Sequence, residues 1–157
     1  MDHAGLSRAA GSAALDVRRA WPEEFGACAD LYVRVLTETF TWVPPERHRR
    51  DDFLRAACDE EIYVAADGAG RIVGLAGFYR PQNFLHSLYA DVRGNGVGKA
   101  LLDYVSAVAD APVSLKVQLP NRRAQAFYLR EGFLILEQGR DPGSDVDWLR
   151  MVRKAAR

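Results

Sequence analysis

A glycine-rich stretch between a predicted strand and a predicted helix has the residue types and spacing most suited to chemistry. It reads Arg93-Gly94-Asn95-Gly96-Val97-Gly98-Lys99-Ala100. Glycines at alternate positions let the backbone turn tightly and present consecutive N–H groups to one ligand. Because a helix is predicted to begin there, these N–H groups and the positive end of the helix dipole would converge on one point. The stretch is therefore predicted to bind a phosphate or pyrophosphate.

Two common phosphate-binding patterns fit this stretch only in part. The dinucleotide pattern G-x-G-x-x-G needs its third glycine where Lys99 stands. The P-loop pattern G-x-x-x-x-G-K-[ST] matches at Gly98-Lys99, but Arg93 replaces its first glycine and Ala100 has no hydroxyl for magnesium. Nucleotide hydrolysis is therefore disfavoured, and a tight turn without a ligand is the simplest alternative.

A second segment follows downstream and strengthens the interpretation. It reads Asn121-Arg-Arg-Ala124-Gln-Ala-Phe127-Tyr128-Leu-Arg-Glu-Gly132-Phe133. The first stretch matches the [QR]-x-x-G-x-[GA] signature of the GNAT superfamily of N-acetyltransferases, and this segment is similar to that family's N-x-x-A-x-x-F-Y-x-x-x-G-F element. The order of the predicted elements also resembles the family over about residues 15–152.

The resemblance implies acetyl-CoA as co-substrate, with no metal. Its pyrophosphate would lie on the glycine-rich stretch, and its pantetheine arm in a cleft where two parallel strands, 84–90 and 113–119, splay apart. The implied cofactor-binding residues are Leu88, Tyr89, Ala90, Arg93, Gly94, Asn95, Gly96, Val97, Gly98, Lys99, Ala100, Asn121 and Ala124. One feature departs from the family, because only two residues separate Ala90 from Arg93 where many members have four.

The implied reaction is attack of an amine on the acetyl thioester. A lysine-like amine has a pKa of roughly 10.4, so a base must remove its proton at neutral pH. Tyr128 is the predicted general acid for the departing thiolate, and His86 is the predicted base, with Glu38 acting through water as an alternative. Covalent transfer through Cys28 or Cys58 is disfavoured, because Cys28 lies on an apolar helix face and neither has an adjacent histidine in the sequence.

The acceptor side of the cleft is less defined. Family members usually line it with the first two helices and their connection, so Phe40, Trp42 and Tyr79 are predicted wall residues, with simple packing as the alternative. A basic cluster at 47–50 could attract an acidic acceptor or form only a solvated helix face. We predict a small-molecule primary amine as acceptor. Protein amine acetylation, and a catalytically silent acyl-CoA-binding or regulatory module, are the alternatives, and a homodimer is a guess from resemblance.

Composition limits the remaining classes of protein. The 157 residues are 48% hydrophobic, which suits one domain, 15–157, after a flexible tail, 1–14. Lys+Arg and Asp+Glu both number 21, so nucleic-acid binding is not expected. No run of 18 apolar residues predicts a membrane span, and two cysteines cannot build a disulfide framework. The sequence predicts a cytoplasmic protein.

Hydrophobic periodicity predicts one mixed α/β sheet. The predicted strands are 15–19, 62–66, 71–79, 84–90, 113–119, 133–137 and 146–152. The predicted helices run from Pro22 to about residue 39 and over 46–58, 99–109 and 121–131. With the resemblance added, the predicted fold is a central twisted, mostly antiparallel sheet that contains a splayed parallel strand pair and is flanked by helices.

Overall fold

The described part of the chain contains one seven-stranded sheet. A computed structural model describes residues 15–91 and 94–153, so the predicted tail at 1–14 lies outside the described part. The strands are β1 (Asp16–Arg19), β2 (Glu61–Ala66), β3 (Ile72–Tyr79), β4 (Phe84–Ala90), β5 (Ser114–Gln118), β6 (Phe133–Arg140) and β7 (Asp147–Arg153). Their spatial order is β1-β2-β3-β4-β5-β7-β6, and every neighbouring pair is antiparallel except β4–β5. The predicted fold class is confirmed.

Within the described residues, four α-helices flank the sheet. They are α1 (Phe25–Thr39), α2 (Arg50–Ala56), α3 (Val97–Val108) and α4 (Arg122–Arg130). The predicted helix over 46–58 was too long, because Pro45–Arg47 forms a separate 3-10 turn and α2 begins only at Arg50. Likewise Pro22–Glu24 is a 3-10 turn that precedes α1. None of the helices in the described ranges is long and apolar enough to cross a membrane.

Two buried clusters cover the two faces of the sheet. The cluster under α3 and α4 includes Phe78, Leu101, Leu102, Phe133 and Met151, all at most 1% exposed. The cluster under α1 and α2 includes Cys28, Leu31, Phe53, Val64 and Leu75. Alternate residues of a strand face opposite sides of a sheet, so the central strands supply both clusters. The sheet is thereby held between two helical layers.

The first turn of α3 packs directly against β3. A Cβ atom at Gly74 would lie 2.4 Å from Cγ1 of Val97 and 2.9 Å from Cδ1 of Leu101, so only glycine permits this approach. Because Val97 is the first residue of α3, the contact sets the position of the helix N-terminus above the sheet. The glycine-rich stretch before α3 is placed by the same contact.

The parallel strands β4 and β5 touch at one point and then separate. Their register holds a single pair, Phe84 with Ser114, and the Ser114 N–H donates to the carbonyl of Asn83 at 3.0 Å. Beyond that pair the β5-facing edge of β4 has no strand partner among the described residues. β4 also carries a bulge, since Gly77 pairs with Ser87 and the next β3 residue pairs with Leu85, which leaves His86 as the extra residue.

Removing the Leu101 side chain should destabilise the fold strongly. Leu101 is fully buried where α3 meets the sheet, so Leu101→Ala should lower the free energy of unfolding by about 2–5 kcal/mol. Urea unfolding followed by circular dichroism measures the difference. Leu129→Ala on α4 is the control, because Leu129 is 50% exposed and its truncation should change stability by less than about 0.5 kcal/mol. Equal losses in the two variants would contradict the described core.

Candidate active site

The separation of β4 and β5 opens a cavity of about 490 Å³. Its wall is formed by β4, β5, the end of α1, the start of α3 and one side of α4. The predicted residues that line it are Leu88, Tyr89, Ala90, Gly94, Gly96, Val97, Gly98, Lys99, Asn121, Ala124, Tyr128, His86 and Phe40. Three predicted groups therefore meet in one space: the glycine-rich stretch at the start of α3, the β4 edge and the α4 face.

The glycine-rich stretch has the backbone shape that the spacing predicts. Gly94 and Gly96 have φ angles of +81° and +73°, which L-residues rarely adopt, and Gly96 caps α3. The first intrahelical bond comes from the Ala100 N–H to the Gly96 carbonyl at 3.0 Å. The N–H groups of Val97, Gly98 and Lys99 therefore precede the intrahelical ladder and are available to an anion.

Three residues predicted for the same stretch do not contribute to the described cavity wall. Arg93 lies outside the described residues, as does the neighbouring Val92, so the short connection after Ala90 is not described either. Asn95 and Ala100 are described, but neither lines the cavity. The predicted phosphate site thus consists of the glycines, Val97 and Lys99.

Lys99 is held by carboxylates. Its ammonium lies 2.7 Å from Glu131 and 3.4 Å from Asp103, and the hydrogen bond to Glu131 is the main reason that its pKa is raised. Two further cations line the cavity from α4, Arg123 and Arg130, and neither makes an ion pair within the described part of the chain. The side of the cavity formed by α3 and α4 is therefore cationic.

The side chain of Asn121 uses its oxygen to cap α4, and its amide nitrogen has no partner among the described residues. Its side-chain oxygen accepts a hydrogen bond from the Ala124 N–H at 3.2 Å and so caps α4. Its amide nitrogen makes no hydrogen bond to a described residue. Asn121 and Ala124 both line the cavity. The cap orients the first turn of α4, and the amide nitrogen of this wall residue has no partner among the described residues.

Tyr128 presents a buried phenol to the cavity. The residue is 9% exposed, and its ring packs against Phe127 and Phe133 with centroid distances of 5.2 Å. Burial raises the pKa of the hydroxyl well above its ordinary range, so the group stays protonated at neutral pH. Within the described ranges no protein group is hydrogen-bonded to it. A protonated and unengaged hydroxyl can donate to a ligand in the cleft.

His86 forms a close pair with Glu60, a residue that the sequence analysis did not identify. Its Nδ1 lies 3.0 and 3.2 Å from the two carboxylate oxygens of Glu60. The Glu60 side chain is 7% exposed, whereas that of His86 is 60% exposed. The hydrogen bond to Glu60 raises the pKa of His86. Because Nδ1 is engaged by the carboxylate, Nε2 is the nitrogen left for a ligand.

The other candidate bases and nucleophiles lie away from the cavity wall. Glu38 is an exposed residue of α1 that does not line the cavity. Cys28 is buried under α1, and burial raises the pKa of its thiol to about 12. Cys58 is exposed and also lies off the wall. No group of three or more potential metal-binding side chains occurs among residues 15–91 and 94–153.

The predicted acceptor wall is only partly assembled. Phe40 lines the cavity, and its ring meets the ring of Trp42 edge-on at 5.2 Å. Trp42 itself lies behind the wall, where its Nε1 donates to the side-chain oxygen of Gln118 at 2.5 Å. Tyr79 pairs with Phe84 at the closed end of the cleft and does not line the cavity, because the strands part only beyond that point.

Several wall residues were missed by the sequence analysis. Ser87, Lys116, Gln118 and Phe127 all line the cavity. Alternation along β5 could have indicated Lys116 and Gln118, since they share one face of that strand. Glu60 had no such signal, because its contact with His86 spans 26 positions.

Comparison with known proteins gives a family and several structural neighbours. The model of the GNAT acetyltransferase family matches residues 11–133. A comparison with curated proteins finds no match to the chain. Apo YjaB from Escherichia coli is 22% identical, with a TM-score of 0.77 over 90% of this chain and 99% of that one. A Corynebacterium glutamicum structure described as histone acetyltransferase HPA2 and related acetyltransferase is 25% identical, with a TM-score of 0.69 over 92% and 98%.

A third neighbour contains a ligand. PaiA N-acetyltransferase from Thermoplasma acidophilum, solved in complex with coenzyme A, is 16% identical, with a TM-score of 0.69 over 90% of this chain and 99% of that one. The family match spans most of the chain and includes the glycine-rich stretch and the α4 segment. The chain therefore belongs to the GNAT acetyltransferase family, whose acetyl donor is acetyl-CoA.

Proposed function

We propose that this chain is an N-acetyltransferase that transfers the acetyl group of acetyl-CoA to a primary amine of a small molecule by direct attack. One observation carries the proposal: the phosphate-binding stretch, a protonated tyrosine and a carboxylate-paired histidine all line a single cavity. Direct attack is favoured over a cysteine intermediate, because neither Cys28 nor Cys58 lines that cavity.

The residues of the cleft fit the parts of acetyl-CoA. The free N–H groups at the start of α3 suit its pyrophosphate, and the unpaired edge of β4 offers backbone groups to the amides of its pantetheine arm. Arg123 and Arg130 add positive charge for the phosphates, and the Asn121 amide offers one more donor. The co-substrate supplies an acetyl group already activated as a thioester.

Tyr128 is proposed to donate its proton to the sulfur that leaves. Its raised pKa keeps the phenol protonated, so the hydroxyl can donate a proton to the CoA sulfur as the C–S bond of the thioester breaks. The packing of its ring against Phe127 and Phe133 holds the hydroxyl in one direction. A donor that is already oriented costs little reorganisation in the transition state.

His86 is proposed to remove the proton from the amine. Glu60 binds Nδ1, so Nε2 is free to accept a proton when the ring is neutral. The resulting imidazolium is stabilised by the buried carboxylate, which increases the basicity of the ring. The same charge also means that His86 stays protonated to a higher pH than an ordinary histidine.

Two alternatives remain distinct from this proposal. A silent acyl-CoA-binding module would need the cavity and the glycines but neither Tyr128 nor the Glu60–His86 pair. A protein amine acetyltransferase would share the chemistry, and one structural neighbour is described as a histone acetyltransferase. A small acceptor is favoured, because Phe40, backed by Trp42 and Gln118, closes part of the acceptor side.

Acetyl-CoA should bind the protein selectively, and Gly96 should be needed for that binding. Any side chain at φ +73° is strained, and a β-branched one crowds the phosphate site, so Gly96→Val should weaken binding at least about tenfold. Isothermal titration with acetyl-CoA, with ATP and NAD as comparison ligands, measures this. Gly26→Ala is the control, since Gly26 lies on α1 away from the cavity wall and its Cβ would only touch Arg50 at 3.7 Å. Unchanged affinity in Gly96→Val would contradict the assigned phosphate site.

Tyr128→Phe should slow turnover much more than it weakens acetyl-CoA binding. The phenyl ring preserves the packing against Phe127 and Phe133 and removes only the proton donor, so kcat should fall about 100-fold or more. Release of CoA thiol with a panel of primary amines measures kcat, and titration measures affinity. A variant that acetylates amines at the wild-type rate would exclude Tyr128 as the acid. A wild type that binds acetyl-CoA but acetylates no amine would instead favour the silent-module alternative.

Glu60 should set the pH dependence of turnover through His86. Because the carboxylate raises the pKa of His86, the wild-type kcat should rise with pH through an inflection above the ordinary histidine value. Glu60→Gln can keep a hydrogen bond to Nδ1 but removes the charge, so the inflection should move to lower pH. His86→Gln should lose that inflection. Superimposable pH profiles for the three proteins would remove His86 from the mechanism.

A further inference from the structure

We propose that the acceptor carries a carboxylate or similar anionic group beside its amine, and that Lys116 binds this group at the acceptor side of the cavity. The inference rests on the proposed function and names the substrate class of the same site. It concerns a residue of β5 that lines the cavity and that no part of the cofactor assignment uses.

Alternation along β5 places Lys116 away from the cofactor side. Leu115 and Val117 are buried in the cluster under α3 and α4. Lys116 lies between them in sequence, so its side chain leaves the opposite face of the sheet, the face that α1 covers further along. The other permanently charged wall residues are on α3 and α4: Lys99, Arg123 and Arg130. Lys116 is therefore the one lysine or arginine on the acceptor side of the described wall.

The charge of Lys116 is poorly compensated by the protein. Its nearest carboxylate oxygen, on Asp141, is 4.0 Å away, which is the longest ion pair in the described part of the chain. That carboxylate belongs to a side chain that is 67% exposed, so solvent screens the pair. The ammonium lies 4.2 Å from the centre of the Trp148 ring and makes no hydrogen bond to any described residue. Trp148 and Asp141 do not line the cavity, so a ligand there would draw the ammonium away from them on its flexible side chain.

The cavity offers no acidic partner to a plain cationic amine. None of the described residues that line it is an aspartate or a glutamate. Nearby positive charge lowers the pKa of a bound amine and so favours the neutral, nucleophilic form. The same charge repels a diamine or polyamine that carries a second ammonium. An acceptor with a carboxylate next to its amine balances Lys116 and avoids that repulsion.

The first test compares acceptors that differ only in the anionic group. Matched pairs are phenylalanine with phenethylamine and lysine with cadaverine, and CoA release gives kcat/KM for each. We expect the wild type to prefer the carboxylate member of a pair by about tenfold, as one charged hydrogen bond would give. Lys116→Gln and Lys116→Met should both abolish the preference and leave acetyl-CoA affinity unchanged.

Asp141→Asn is the matched control for charge. Removing the distant counter-charge should leave the carboxylate preference intact or increase it, because Lys116 then has no competing partner. A preference that survives in both Lys116 variants, or a wild type that favours the amines without a carboxylate, would overturn the inference. Turnover of those simple amines would at the same time uphold the proposed acetyltransferase function, so the two failures are distinguishable.

A direct binding experiment removes the dependence on turnover. The CoA-saturated protein is titrated with 3-phenylpropionate, which keeps the carboxylate and ring of phenylalanine but has no amine. We expect binding to the wild type and to Asp141→Asn, and at least about tenfold weaker binding to Lys116→Gln. Absence of binding to the wild type, or equal affinity in wild type and Lys116→Gln, would refute an anion subsite at Lys116.

Discussion

The site depends on one constraint: two neighbouring parallel strands are joined by a single residue pair. Phe84 and Ser114 hold β4 and β5 together, and the strands separate beyond them. A sheet that continued to pair would have no space between its strands, and the backbone edge of β4 would be used up by hydrogen bonds to β5. The separation of β4 from β5 therefore creates both the cavity and an unpaired backbone edge on β4. The pairing of β4 with β3 and of β5 with β7 fixes the orientation of both features.

Helices complete the cavity because the sheet brings their ends to the split. The contact of Val97 with Gly74 positions the start of α3, and the Asn121 cap positions the start of α4. The two helix N-termini therefore lie on the same side of the cleft, where their backbone N–H groups favour anions. The cationic wall residues of α3 and α4, Lys99, Arg123 and Arg130, add positive charge to the same side.

The fold and the cofactor side of the cleft could be predicted from the sequence, and the acceptor side could not. Local sequence patterns predict the helices, the strands and the glycine-rich stretch. The segment around Tyr128 is also predictable, because the spacing of its residues matches the family's N-x-x-A-x-x-F-Y-x-x-x-G-F element. Glu60 could not be found in this way, because its carboxylate reaches His86 only after β2, β3 and β4 are paired. Tyr79 does not line the described cavity, and the sequence could not indicate this, since it does not tell at which end of the strand pair the cleft opens.

The extra residue in β4 also determines which side chains face which half of the cleft. Without the bulge at His86, the register of β4 against β3 would continue unbroken, and every later residue of the strand would exchange faces. Tyr89, which packs with Tyr32 under α1, would then point toward α3, and Leu88 would replace it. A length change of one residue in this strand would thus exchange the faces of all the side chains that follow it, whereas a substitution changes a single side chain.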